Sequence, residues 1–434
     1  MNRELFYFRY WRKVLTGSPT RKRLTGNFLS LSILQALNYI LPLITLPYLV
    51  RVLGLEKYGL ISFAQAFIAY FTILTDYGFG LSATREISIH RDDREKVSEI
   101  FSSVMTIKFF LGILSFIILA VILAFIPRFG NDWLIYIFTF GTVLGNILFP
   151  VWFFQGMENM KWITILNVIA RGIFTVLIFV FVHKESDYLN VAIINSLGSI
   201  IAGIISLIIV FKNFKVKFIF PKLESIKNQL KEGWHIFISN IAISLYTVSN
   251  TFILGLFTNN TIVGYYSGAE KIIKAVQGLI TPISQTIYPY LSKLATDSKE
   301  KALIFLKRLI KLVGIITFII SLLIFILAGP IVNIILGSKY QESILPLRIL
   351  SFIPFIVVLS NVFAIQGLYN FGKQAIVSKY VVIIALLHLA YLTFFIHLYQ
   401  AIGVAISWTI TEILITITSF YYFNKVIKQD KNYT

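Results

Sequence analysis

The sequence predicts an all-α integral membrane protein, with twelve transmembrane helices in two six-helix bundles related by a parallel internal repeat. Three observations carry that prediction. Of the 434 residues, 57% are apolar and only 14% charged, with a mean hydropathy of +0.79. A soluble chain carries about 25% charged residues. Lysine and arginine concentrate in alternate loops between the apolar stretches. Two short motifs of the first half recur in the second at nearly one period. The same composition excludes a soluble enzyme and a disordered chain, which needs low hydrophobicity. The absence of cysteine removes disulfides, thiol chemistry and Cys-ligated metals. The five histidines are scattered, so no metal site and no bound cofactor are expected. A net charge of +19 would suggest nucleic acid in a soluble protein. Here no nucleic-acid partner is expected, because the charge orients the spans.

A helix needs about 20 apolar residues to cross the hydrocarbon core. Eleven stretches meet this, at 24–50, 59–81, 99–126, 133–155, 162–182, 188–211, 233–257, 305–327, 345–368, 374–398 and 401–423. The stretch 261–291 carries Glu270, Lys271 and Lys274, and hydropathy alone would reject it. The loops argue for keeping it. With twelve spans and the N-terminus inside, the inner segments hold clusters such as Arg21, Lys22 and Arg23, or Lys212, Lys215 and Lys217. The outer loops hold only Arg51, Lys57, Arg128, Lys184, Lys339 and Arg348. The asymmetry is roughly fourfold, and the Lys/Arg bias sets orientation. Both termini are therefore expected in the cytoplasm. The chain divides into a basic and aromatic tail (1–23), a six-helix lobe (24–211), a basic linker (212–232), a second lobe (233–424) and a tail (425–434). No cleaved leader is expected, since the first apolar stretch is too long. The segment 4–15 mixes Phe6, Phe8 and Trp11 with Arg9, Arg12 and Lys13. It either lies in the inner interface as an amphipathic helix or simply orients the first span.

The repeat rests on two matches. Tyr58-Gly59 through Gln65 aligns with Val263-Gly264 through Glu270, and Gln155-Gly156 aligns with Gln366-Gly367. Six spans per half is an even number, so the halves share one topology and face each other about an axis along the membrane normal. In carriers of that plan the site lies between the repeats.

Charge in hydrocarbon is costly, so each intramembrane ionisable group is a candidate. On the second span Ser62, Gln65, Ala69, Thr72 and Asp76 form one stripe; on the eighth, Ser267, Glu270, Lys274, Gln277 and Thr281 take the same positions. The spacing predicts a shared central cavity. Glu270 and Lys274, at i and i+4, are expected to pair. Lys271 is then left without a partner on its own helix, about 15 Å deep at 1.5 Å per residue. Arg171 sits in the middle of the fifth span with Asn167 on its face, and Lys108 is either deep in the third span or snorkelling. Such bases call for an anion, supplied by Asp76, Glu270 or Glu412 or by a substrate. Arginine is well suited to hold phosphate with two bonds. Glu412 either carries a coupling proton or sodium ion or pairs with a base on another helix. His388 reads as a hydrogen-bonded structural histidine. Pro42, Pro47, Pro282, Pro289, Pro150 and Pro354 are expected to kink their spans.

The run Asn38-Tyr39-Ile40-Leu41-Pro42 through Leu46-Pro47-Tyr48-Leu49-Val50-Arg51-Val52-Leu53-Gly54, then Glu56-Lys57-Tyr58-Gly59, resembles the opening of the polysaccharide repeat-unit (O-antigen and capsule) flippases. These belong to the multidrug/oligosaccharidyl-lipid/polysaccharide exporter superfamily. Asp76-Tyr77-Gly78-Phe79, Ser82-Ala83-Thr84-Arg85-Glu86 and Trp152-Phe153-Phe154-Gln155-Gly156-Met157-Glu158 continue the likeness. The resemblance implies a V-shaped, two-lobe fold like that of the multidrug exporters. It also implies an undecaprenyl-diphosphate-linked oligosaccharide moved from the cytoplasmic to the periplasmic leaflet of the bacterial inner membrane, by alternating access. The diphosphate-sugar head would meet Arg171, Lys271, Lys274 and Lys108, with Gln65, Gln277 and Asn167 beside them. Arg85 and Glu86 would form an inner gate. Asp76, Glu270 and Glu412 would be coupling sites for H+ or Na+, or charge partners. Membrane lipids are expected around it, and a repeat-unit polymerase and a chain-length regulator as protein partners. Two rivals stand beside this reading. A multidrug antiporter of the same superfamily would prefer an acidic cavity for its cationic substrates. A membrane-bound polymerase or transferase would present a catalytic cluster in a sizeable loop, and 328–344 holds none.

Overall fold

A computed structural model describes residues 19–431, apart from the side chains of most of 19–40 and of scattered positions in 279–297 and 429–431. The segment 4–15 and the side chains of Thr281, Pro282 and Pro289 lie outside the described residues. Within them the chain is helical almost throughout, with no strand. α1 (Pro19–Asp76) is two helices joined at Gly54, where φ 70° and ψ −178° suit a residue without a Cβ. Tyr77 and Gly78, both at positive φ, turn the chain into α2 (Phe79–His90). α3 (Arg94–Phe125) starts at Asp93, whose carboxylate accepts from the N–H groups of Glu95 and Lys96 at 3.1 Å each. A single turn, α4 (Pro127–Gly130), leads to α5 (Trp133–Leu148) and α6 (Val151–Gly156). α7 (Lys161–Phe181) and α8 (Tyr188–Asn213) complete the first half.

The second half opens with α9 (Leu223–Thr247) and α10 (Ser249–Phe257), bent by 54° against each other. α11 (Asn260–Asp297), α12 (Lys299–Ile326) and α13 (Ala328–Ile335) follow. α14 (Ile344–Leu350) and α15 (Ile353–Asn361) run into a π-helical stretch, Val362–Tyr369. α16 (Gln374–Lys431) is again two helices, joined at Gln400. Among the described residues, eight helical stretches are long and apolar enough to cross a membrane, nine if α9 and α10 form one span. Two of the eight, Leu41–His90 and Gln374–Lys428, contain the breaks at Gly54 and Gln400. The charged α11 falls below the hydropathy that marks the others, as its Glu and Lys residues predict.

The prolines divide by position. Pro42 and Pro47 lie inside α1, which continues through both. Its break comes at Gly54, where the chain turns. Pro150 and Pro354 each start a new helix within a span, α6 and α15. A proline needs no N–H partner at that position.

Small residues set the closest helix contacts, as expected where packing rather than hydrophobicity joins helices. A Cβ on Gly141 would come 2.7 Å from Ser196 Cβ, and one on Gly203 2.6 Å from Leu148 Cβ, so α5 and α8 nearly touch backbones. α1 and α11 cross in the same way. A Cβ on Gly59 would come 2.8 Å from the Gly264 nitrogen, and one on Gly264 2.5 Å from the Leu55 carbonyl oxygen. These two glycines are the aligned pair of the sequence repeat. Below the crossing, Phe63 and Phe67 stack on Phe252 at 5.7 and 5.4 Å. The outer faces are left apolar: Phe109, Phe110, Ile117 and Val121 of α3 are each more than half exposed. A bilayer covers such a face. The linker after α8 docks on α3, where Ser98 and Ser102 accept the N–H groups of Lys217 and Ile219 at 3.1 and 2.9 Å.

Candidate functional site

Two cavities are lined by part of the intramembrane polar set. The first, of about 480 Å³, lies among α1, α5, α7 and α8. Arg171, Asn167, Gln65 and Asn146 line it, and α11 contributes Lys271 from the other half of the chain. Two cations and several amides face this space, and no carboxylate is among its lining residues. α7 places Asn167 one turn before Arg171, with the Asn167 amide donating to Ile163 O at 2.8 Å. The Lys271 ammonium stands 4.8 Å from the centre of the Tyr58 ring. That contact stabilises a cation without neutralising it.

The second cavity, of about 710 Å³, lies in the second half and is mostly aliphatic. Lys274 and Gln277 stand at its edge, and Ser284, Asn361 and Gln366 form a polar group within it. Ser284 Oγ donates to Asn361 Oδ1 at 2.6 Å, and Gln366 Nε2 reaches Ser284 O at 3.0 Å. Gln366 lies in the π-helical stretch.

The expected shared cavity is thus corrected. α11 is wedged between the halves: of the eighth-span stripe, Lys274 and Gln277 line the second cavity and Ser267 is buried, whereas Lys271, outside that stripe, lines the first. Ser62 and Ser267, the outer members of the two stripes, are 5% and 1% exposed at the crossing of α1 and α11. Helical spacing fixes which residues share a face; it does not fix what that face meets.

The charge partners are now visible. Glu270 pairs with Lys274 at 2.9 Å, as the i, i+4 spacing predicts, and accepts from Thr251 Oγ1 at 3.0 Å. Lys274 also stands over Trp408, at 5.9 Å. Lys108 is the second correction. It neither snorkels nor lines either cavity; its ammonium donates to Asp76 at 2.8 Å and to Asn146 Oδ1 at 3.2 Å. Glu412 accepts from Trp408 Nε1 at 3.2 Å. His388 sits in a closed network with Thr411 at 2.7 Å and Asn250 at 3.0 Å. Of the inner pair, Glu86 is bonded by Gln229 of α9, whereas Arg85 is exposed on the outside of α2. Asn146, Asn361 and Ser284 were not singled out from the sequence, and Gln366 only as part of the repeat. Polar side chains within apolar spans were the available signal, but neutral ones are common enough in packed helices to carry little weight alone.

The fold defines the class. Over 90% of this chain and 86% of the other, the structure superposes on the lipid II flippase MurJ in an inward closed conformation, with a TM-score of 0.71 and 17% identity. Over 92% and 99%, it superposes on an inward-facing multidrug resistance MATE family transporter of the MOP superfamily, with a TM-score of 0.70 and 14% identity. The chain thus has the all-α fold of these two membrane proteins. Within that class, the model of the family described as "Polysaccharide biosynthesis protein" matches residues 24–295, and the chain belongs to this family. A relative from Escherichia coli (strain K12) named "Putative O-antigen transporter" is 36% identical over 91% of this chain and 95% of its own length.

Proposed function

We propose that the protein carries an undecaprenyl-diphosphate-linked oligosaccharide repeat unit from the cytoplasmic to the periplasmic leaflet of the bacterial inner membrane, by alternating access. The observation that carries this reading is the first cavity: Arg171 and Lys271, contributed by opposite halves of the chain, converge on a space with no carboxylate in its lining. A diphosphate is a multiply charged acceptor that an arginine holds with two bonds and a lysine as a point charge. Asn167, Gln65 and Asn146 offer amides to the first sugar. A multidrug antiporter is disfavoured on the same ground, since its cationic substrates would be repelled there. An enzyme is disfavoured by the absence of any clustered catalytic set at the cavity.

The proposal includes twelve crossings, both termini cytoplasmic, and the two lobes 24–211 and 233–424. Support comes from the loop charges, from the breaks at Gly54 and Gln400, and from the meeting of Gly59 with Gly264. Glu412 is the preferred site for H+ or Na+ coupling, because Asp76 and Glu270 already face Lys108 and Lys274. A repeat-unit polymerase and a chain-length regulator would act on the delivered substrate.

The test is complementation of a strain lacking its own transporter. Arg171→Ala and Lys271→Ala should each lower surface polysaccharide about tenfold or more, since a charge-assisted bond is worth about 1.5–3 kcal/mol. The protein should still accumulate in the membrane. Normal polysaccharide from both variants refutes the anion-binding role.

A further inference from the structure

Arg51 and Arg128 belong to neither cavity, yet both reach across between the halves of the chain. They lie on the face remote from the termini, with the turns at Gly54 and Gln400. Arg51 follows the apolar run of α1, and its Nη2 donates to the carbonyl of Ile334 in the last turn of α13. Gly337, at φ 95°, turns the chain beside it, where a Cβ would stand in ordinary contact 3.9 Å from Arg51 Cγ. Arg128, in α4, donates from Nε to the carbonyl of Gly255 at 3.2 Å and from Nη2 to Asn260 Oδ1 at 2.9 Å. Its guanidinium also lies 5.3 Å from the Phe63 ring. Gly255 is in the last turn of α10, and Asn260 opens α11.

The two contacts share one physical logic. The last carbonyls of a helix lack partners within it. They also carry the negative end of the helix dipole, which favours a cation. In each case the capping cation comes from the opposite half of the chain. Beneath the two arginines lie the Gly59–Gly264 crossing and the stack of Phe63 and Phe67 on Phe252, with Tyr58 and Phe63 buried, so the halves are in close contact on this face.

We infer that Arg51 and Arg128 form a latch that holds this face shut, each capping a helix of the other half, and that the face opens when both let go. They are positioning residues, which set the balance between two arrangements of the lobes and do not touch the substrate. Arg51 is exposed, so water replaces its bond readily when the lobes part, and the latch is reversible. The inference rests on the alternating-access reading, and the experiment separates the two.

The natural chain has no cysteine, so spin labels can be placed at will. One labelled pair, Glu185→Cys with Lys339→Cys, spans the latched face. A second, Asp92→Cys with Lys373→Cys, spans the opposite face. All four sites are exposed. Distance distributions are measured by double electron–electron resonance on the full chain in lipid nanodiscs. In an Arg51→Ala/Arg128→Ala background the longer-distance population of the 185/339 pair should rise about tenfold, the effect of losing one charged bond's worth of closure. The 92/373 pair should shorten in step. Arg51→Lys with Arg128→Lys should restore part of the closed population, since an ammonium still caps a carbonyl. An unchanged 185/339 distribution in a monodisperse double variant overturns the latch. Opening at 185/339 without shortening at 92/373 supports the latch and overturns alternating access. Should the double variant not accumulate, the single Arg51→Ala carries the same readout, and no shift there overturns the proposal.

Discussion

Lys108 is 2% exposed, and its ammonium is held by Asp76 and Asn146. Its residue type and depth are those of a substrate ligand, and only its neighbours reveal a structural role. Asp76 is the last residue of α1, and the chain turns sharply at Tyr77 and Gly78 just after it. A cation at that helix end is favourable on its own account. Lys108→Met should therefore destabilise the protein by about 2 kcal/mol, by leaving Asp76 and Asn146 short of a donor. Adding Asp76→Leu should recover only part of the loss, because the Asp76 side chain is 42% exposed and its unpaired charge is only partly desolvated. Thermal unfolding of the detergent-purified variants measures both steps, and a double variant no more stable than Lys108→Met would refute the account. Lys271, with the same signal in the sequence, meets a ring and an open cavity instead. The sequence therefore disclosed where intramembrane charge sits, but not which charges are already satisfied, because pairing depends on side chains some thirty residues away.

At the scale of elements, the repeat motif has a mechanical content that alignment alone does not convey. Gly59 and Gly264 are equivalent in sequence, and each occupies the place where the other's helix comes nearest. Two equivalent positions meet each other only near the axis that relates the halves. Gly59→Val should thus push α1 from α11, at a cost of about 1–3 kcal/mol or more for overpacking. Gly172→Ala is the control: a Cβ there has nothing within 4 Å, so stability should hold or rise by about 0.5 kcal/mol from helix propensity. Equal losses at both sites would refute a specific crossing. Gln400, at φ 49° and ψ −121°, makes the turn inside α16 in a conformation that side chains resist. Gln400→Gly should raise stability by about 1 kcal/mol by relieving that strain. The helical course of the apolar stretches was legible because hydropathy is a property of the chain in one dimension. The turns at Gly54 and Gln400 could be placed between spans for the same reason, whereas the continuity of α1 through Pro42 and Pro47 could not. A span tolerates the lost backbone bonds when neighbouring helices and side chains compensate locally.

For the whole molecule, the rotation of each helix against the opposite half decides what is wet. Periodicity gave Ser62 and Gln65 one face, yet the crossing of α1 and α11 buries the first and leaves the second in the cavity lining. Ser267 and Gln277 on α11 divide likewise, one buried and one beside the second cavity. Single cysteines therefore discriminate between one open central cavity and two cavities parted by α11. Gln65→Cys and Gln277→Cys should react with a small hydrophilic thiol reagent, while Ser62→Cys and Ser267→Cys stay protected in the arrangement described here. If the lobes exchange arrangements during transport, turnover should change this pattern. Lipid-linked substrate added to proteoliposomes should then speed labelling at Ser62→Cys and Ser267→Cys, because those positions are sealed only while the halves touch there. Collapsing the ion gradient should suppress that gain if Glu412 couples transport to H+ or Na+, and Glu412→Gln should suppress it with the gradient intact. Labelling of Ser62→Cys and Ser267→Cys that ignores substrate altogether would mean that the crossing of α1 and α11 never opens, and a rocking mechanism would have to be abandoned.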